Sequence, residues 1–274
     1  KKFEKRRTQH VLASFAVFVT HTKPNMFGDI LDTIFFLAGF LSISTYLIPV
    51  LAQTLYFDWL ENDLKKKYDA KWALVTGASS GIGLAIVEKL ASQKLNVVMV
   101  ALDDALLADA FIDLQQRFPK LQFRKIGVNL AVGDYMTPII AGTADIKVQL
   151  VFNNAGFITC GMLHKTPLAR NVGNLECNAT SSVKITHHFV SQLADSKLRG
   201  LIAFTSSSAC FMPNPLGALY ASTKAFMTLF ATSVAAEVKS LGIDVVVVHP
   251  SPMATNFFDT TESMGVLQFF KKFA

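Results

Sequence analysis

The sequence predicts an α/β fold: a doubly wound parallel sheet with helices on both faces, preceded by an N-terminal helical membrane segment. Three observations carry that prediction. From Lys71 onward, six short apolar runs alternate with helix-patterned stretches, as βαβ units require. The first run ends in the glycine-rich turn T-G-A-S-S-G-I-G, Thr76 to Gly83. Upstream, the 25 residues between Asp32 and Asp58 carry no charge.

The elements follow in chain order. Residues 1–70 form an apolar N-terminal region, and residues 71–274 a dinucleotide-binding catalytic domain. The run Val11 to Thr20 is too short to span a bilayer. The run Thr33 to Phe57 makes a helix of about 37 Å, against a hydrocarbon core of roughly 30 Å. Pro49 would kink it, which membrane helices tolerate, and Tyr46 and Tyr56 suit an interface. A membrane anchor is the favoured reading; the alternative is a buried helical hairpin. Lys1, Lys2, Lys5, Arg6 and Arg7 precede the run and Lys65, Lys66 and Lys67 follow it, so orientation stays open.

Strands are expected at Trp72–Thr76, Asn96–Ala101, Leu121–Val128, Lys147–Phe152, Leu201–Thr205 and Ile243–His249. The first is a short apolar run that ends in the glycine turn, the pattern of a buried strand. Helices are expected at Ile82–Leu90, Leu106–Phe118, Leu175–Leu193 and Gly217–Lys239.

Composition narrows the function. The chain is 51% hydrophobic and 17% charged, more apolar than a typical soluble domain. Its net charge of +6 is thinly spread, which argues against a nucleic-acid surface. Cys160, Cys177 and Cys210 lack the spacing of metal ligands or a disulfide framework, so no metal site is expected.

The glycine turn implies a dinucleotide. Gly77 permits a tight turn, and Gly81 and Gly83 let the backbone approach a pyrophosphate at the helix N-terminus, with Ser79, Ser80 and Ile82 in the same loop. No Gly-Lys-Ser/Thr follows, which disfavours an ATP-type loop. The second strand runs out through Val100, Ala101, Leu102, Asp103 and Asp104 with no arginine. Asp103 either bonds a ribose or caps the next helix, and the choice between NAD and NADP stays open.

Tyr220 and Lys224 lie four residues apart in L-Y-A-S-T-K, about one helical turn. An ammonium about 6 Å from a phenol, at an effective dielectric near 20, favours the phenolate by roughly 3 kcal/mol. The expectation is a phenol made acidic enough for proton transfer. His187 and His188 read as ordinary helix residues and His249 as a packing residue. Met253, Phe257, Phe258, Met264, Leu267, Phe269 and Phe270 follow the last strand. They suit an acyl chain or sterol skeleton, or equally a lid core or membrane contact.

Four motifs stand in one order: T-G-A-S-S-G-I-G, N-N-A-G at Asn153–Gly156, Y-A-S-T-K at Tyr220–Lys224 and H-P-S-P-M-A-T at His249–Thr255. With them, residues 71–256 resemble the short-chain dehydrogenase/reductase family. The apolar N-terminus followed by L-K-K-K-Y-D-A-K-W-A-L-V-T-G is most similar to its membrane-bound branch, which includes very-long-chain 3-oxoacyl-CoA reductases and 17β-hydroxysteroid dehydrogenases.

The resemblance implies a Rossmann-like fold and a hydride-transfer enzyme using NADP or NAD. It implies Ser207, thirteen residues before Tyr220, as the catalytic serine and Asn178 as the helix asparagine that positions a water relaying protons to Lys224. It places Asn129, Asn153, Asn154, Ala155, Gly156, Tyr220, Lys224, Pro250 and Thr255 beside the cofactor. Three departures stand out: Asn129 where aspartate is common, Pro250-Ser251 where Pro-Gly is usual, and little room before Ala274 for a seventh strand. The implied substrate is a hydrophobic small molecule such as an acyl-CoA or steroid. The implied location is the endoplasmic reticulum membrane with a cytosolic catalytic domain, or another organelle membrane. A homodimer or a membrane-complex partner fits the resemblance. The competing reading is a vestigial member serving as an accessory subunit of a membrane complex.

Overall fold

The computed structural model describes residues 26–59 and 63–250. The run Val11–Thr20, Ser251, Thr255 and the aromatic segment after Met253 lie outside the described residues. The chain divides into two compact units, residues 1–62 and 63–274.

In the first unit, helix α1 runs from Met26 to Trp59 with Pro49 inside it. The expected span Thr33–Phe57 falls within it. Its window Gly28–Ala52 has a mean hydropathy of 2.1 and is long and apolar enough to cross a membrane.

The second unit begins with α2, Leu64–Tyr68, whose start is capped by the Asp63 carboxylate accepting from the Lys66 N–H. Strand β1 is Trp72–Thr76, β2 Asn96–Ala101, β3 Phe123–Gly127, β4 Val148–Asn153, β5 Gly200–Thr205 and β6 Ile243–Val248. All pair in parallel in the order β3-β2-β1-β4-β5-β6. Helix α3 spans Gly81–Ser92, α4 Ala105–Arg117, α5 Met136–Thr143, α6 Leu168–Leu175, α7 Ser181–Ser196 and α8 Ala218–Val238.

Side chains alternate across the sheet. Leu74, Val98, Val100 and Val151 enter one core with Ile139 of α5, Ile185 and Phe189 of α7, and Met227 and Ala231 of α8. Ala73, Val75, Val97, Met99 and Leu150 enter the other with Tyr68, Val87, Leu90, Leu107 and Leu114 of α2 to α4. Helices therefore cover both faces. The strand order reverses between β1 and β4, which opens a crevice at their C-terminal ends.

Several expectations need correction. The helix expected at Leu175–Leu193 begins earlier, as α6, and passes through a π-helical turn, Glu176–Thr180, before α7. Strand β3 starts at Phe123 rather than Leu121, because the Leu121 N–H closes a turn onto Phe118 O. Strand β4 is displaced by one residue to end at Asn153. Helices α2 and α5 are additional to the expected elements.

Candidate active site

The glycine turn is a cradle in which side chains do not fit. Gly77 and Gly81 have φ of 64° and 54°, conformations costly for any residue with a Cβ. A Cβ on Gly83 would stand 2.0 Å from Gly77 O, and one on Gly77 would stand 2.9 Å from Ala155 Cα. Ser79, Ser80 and Ile82 are half-buried along this turn. Ser80 precedes α3 without a side-chain capping bond, so the first amides of α3 are available to an anion.

Thr76 ties this turn to N-N-A-G. Its Oγ1 accepts from the Asn154 and Ala155 N–H groups, both at 2.9 Å, and donates to Phe152 O at 3.3 Å. The Asn154 amide donates to Thr76 O at 3.1 Å. The end of β1 and the end of β4 are thereby locked edge to edge across the switch point.

Asn178 sits in the π-turn, fully buried. Its Oδ1 accepts from Phe157 N at 3.0 Å, and its Nδ2 donates to Phe157 O at 2.9 Å and Thr223 Oγ1 at 3.3 Å. This two-pronged grip fixes the loop after β4. A Cβ on Gly156 would come within 3.1 Å of Asn178 Oδ1 and 3.4 Å of Lys224 Nζ, so the glycine lets the loop approach both. A π-turn here has its own brace. The Tyr135 hydroxyl donates to Glu176 Oε1 at 2.5 Å and Lys184 Nζ donates to it at 2.7 Å. Burial, with Glu176 beside it, pushes the Tyr135 phenol up to about 12.

Ser207 follows β5 in extended backbone, and its Oγ accepts from Ala209 N at 3.2 Å. It also hydrogen-bonds the Tyr220 phenol. Ser206 is a backbone-bonding neighbour: its Oγ donates to Lys224 O at 2.9 Å. Lys224 is buried, and its Nζ donates to Thr205 O at 2.8 Å and stands 5.7 Å from the Tyr220 ring centroid.

Lys224, expected to acidify Tyr220, is not among the groups that shift the phenol. Burial raises the Tyr220 pKa, the Ser207 hydrogen bond only partly offsets this, and the Cys160 thiol adds to the rise. Burial also pulls Lys224 down to about 8. Helical spacing put the two residues on one turn, but the ammonium turns toward the Thr205 carbonyl. The cost of desolvating the phenolate outweighs its attraction to a cation aimed elsewhere.

The remaining expected residues are placed as follows. Asp103 is not the helix cap; Asp104 is, accepting from Leu107 N at 3.0 Å. Asp103 lies exposed at the end of β2 and against Gly127, where a Cβ would meet its Oδ1 at 2.7 Å. Asn129 Oδ1 accepts from Ala131 N at 2.9 Å in its own turn. Pro250 O accepts from Ser208 N at 3.2 Å, which holds the end of β6 to the serine loop. His249 packs 4.9 Å from the Phe211 ring and hydrogen-bonds Thr228.

Sequence reasoning missed Asn174. It is fully buried, and its Nδ2 donates to Phe157 O at 2.6 Å, beside Asn178 on the same carbonyl. The available signal was Asn171, Asn174 and Asn178 on one helical face, an apolar position filled three times by an amide.

A family profile described as short chain dehydrogenase matches residues 71–264. The chain belongs to this family. It is 27% identical over 210 residues to a very-long-chain 3-oxoacyl-CoA reductase-like protein of Arabidopsis thaliana, covering 76% of this chain and 67% of that one. It is 29% identical over 197 residues to very-long-chain 3-oxoacyl-CoA reductase-A of Danio rerio, covering 70% of this chain and 61% of that protein's length. Among solved structures it resembles a metagenomic short-chain oxidoreductase in complex with NADP, at 29% identity and a TM-score of 0.58, covering 66% of this chain and 81% of that one. The chain is thus an NAD(P)-dependent oxidoreductase of this family. The glycine cradle, the amides at the start of α3 and the locked N-N-A-G loop fit a dinucleotide.

Proposed function

We propose that this chain is a membrane-anchored reductase of lipid carbonyls, with 3-oxoacyl-CoA thioesters as the first substrate class and steroid ketones as the second. One observation carries the substrate class. Met162, Leu163, Phe211 and Met212 are 55%, 66%, 69% and 65% exposed. They stand on the loops after β4 and β5, the same loops that hold Cys160 and Ser207. Exposed apolar side chains on the loops that leave the sheet on either side of the site suit a long or bulky apolar substrate. The names of the Arabidopsis and zebrafish relatives support the acyl-CoA reading, and α1 supports the anchor. The compartment that best fits such a substrate is the endoplasmic reticulum membrane, with the sheet unit in the cytosol.

The glycine turn, Asn154 to Gly156, Tyr220, Lys224 and Pro250 would hold the cofactor, together with Asp103, Asn129 and, outside the described residues, Thr255. When bound, the reduced nicotinamide supplies the hydride. Tyr220 carries the proton for the carbonyl oxygen, and its raised pKa keeps that proton in place at neutral pH, the state reduction needs. Ser207 donates a second hydrogen bond to the same oxygen, where negative charge develops. Lys224 fixes the adjoining backbone through Thr205 and presents its charge beneath the loop. Asn178 holds Phe157, and so the loop that closes over the reacting atoms.

The test is turnover of NADPH and NADH by the detergent-solubilised chain with 3-oxoacyl-CoA thioesters of graded length and with steroid ketones. The expected result is reduction that strengthens with acyl length. Reduction of small water-soluble ketones alone would remove the lipid reading.

A further inference from the structure

The end at which the strands of the sheet begin is basic. All six strands run the same way, so the loops leading into them lie together at one end. In the loops between a helix and the following strand, Lys71, Lys94, Lys120, Lys147, Lys197, Arg199 and Lys239 face only Asp69 and Asp145. All seven basic residues are exposed. Asp145 is already paired with Arg124. At the opposite end the described charges are mixed: Asp103, Asp104, Asp134 and Glu176 stand with Lys165, Arg170 and Lys184.

Helix α2 adds Lys65 and Lys66 to the basic end, while its Lys67 is paired with Asp244 at the start of β6. The Leu64 N–H donates to Gln93 Oε1 at 2.9 Å, Lys65 Nζ to Lys94 O at 2.7 Å and the Tyr68 hydroxyl to Asp244 Oδ2 at 2.6 Å. The chain therefore enters the sheet unit at its basic end. Only eleven residues separate Ala52, the last residue of the apolar window, from Leu64, a reach of at most about 40 Å.

We infer that this basic end is a docking surface for anionic lipid headgroups, and that it seats the sheet unit on the membrane with the cofactor crevice at the opposite end. The inference deepens the membrane reading and rests on it for the tether. Basic clusters next to a membrane helix bind anionic leaflets, and the attraction fades within a Debye length of about 10 Å at 0.1 M salt. Cations near helix C-termini also complement the helix dipole, but that role is indifferent to lipid composition and so is separable.

The full chain is reconstituted into nanodiscs of phosphatidylcholine alone or with phosphatidylserine, and lysine acetylation rates are read by mass spectrometry. Lys66, Lys71, Lys94, Lys197 and Lys239 should react more slowly, on the order of tenfold, in the anionic discs. The slowing should vanish in high salt, and Lys165 at the far end should not change. Equal rates in both lipids overturn the inference. Whether the anchor exists is read separately, by retention in neutral phosphatidylcholine vesicles after alkaline carbonate. Extraction there defeats the anchor, while slowing on added anionic vesicles would still uphold the surface. Retention with lipid-independent rates defeats the surface alone.

Discussion

Replacing Lys224 with methionine should stabilise the nucleotide-free protein while abolishing turnover. Burial lowers the lysine from 10.5 to about 8, an interval worth about 3 kcal/mol of disfavoured charge at neutral pH. Methionine keeps the length of the side chain and removes the charge. It also removes the 2.8 Å hydrogen bond to Thr205 O, a loss of about 1 kcal/mol. The net gain of about 2 kcal/mol corresponds to a rise in Tm of roughly 4–8 °C for a unit of this size. The pH dependence fixes the sign. Between about 8 and 10.5 the unfolded chain still holds the Lys224 proton that the folded protein has released. Wild-type stability attributable to this group therefore rises with pH across that window. The advantage of Lys224→Met should be largest below pH 8 and shrink toward pH 10.5. Thermal unfolding of both proteins in detergent, without nucleotide, at neutral and alkaline pH reads this directly. A variant that melts below the wild type at pH 7, or an advantage that does not narrow, refutes the reasoning.

Thr76→Val removes the acceptor shared by the Asn154 and Ala155 N–H groups; a loss of about 3 kcal/mol, or roughly 6–12 °C in Tm, is expected, with Thr76→Ser largely restored. Gly83→Ala would drive a Cβ to 2.0 Å from Gly77 O, so nucleotide binding measured by fluorescence titration should be lost, whereas near-native affinity would contradict the cradle. Asn178→Leu strips Phe157 N of its partner and should cost about 1–3 kcal/mol. Asn174→Leu leaves Phe157 O still bonded by Asn178 and removes an unpaired buried oxygen. Its Tm should stay within about 3 °C of wild type, and equal losses in the two variants would show that the clamp has been misassigned.

Strands β1 and β2 are legible to the residue because each is a short apolar run bounded by polar residues, glycine or a turn. Helix α5 is not, since M-T-P-I-I-A-G-T combines a proline and a glycine with weak helix formers, and tertiary packing of Ile139 holds it in place. The break between α6 and α7 has no local signal either. It depends on Tyr135, distant in sequence, gripping Glu176. Within the site, spacing identified Tyr220 and Lys224 as neighbours on one helix face. It could not show that the ammonium points to the Thr205 carbonyl. A lone asparagine inside a helix carries no mark of burial, so Asn174 is legible only through its spacing from Asn171 and Asn178, whereas Ser207 and Asn178 were reached only through family resemblance.

The most direct test is single-turnover carbonyl reduction by Tyr220→Phe at saturating nucleotide. If the Tyr220 hydroxyl delivers the proton, the rate should fall by roughly 10²–10⁴-fold while nucleotide affinity changes less than about threefold. A rate within about threefold of wild type would mean that another group protonates the oxygen.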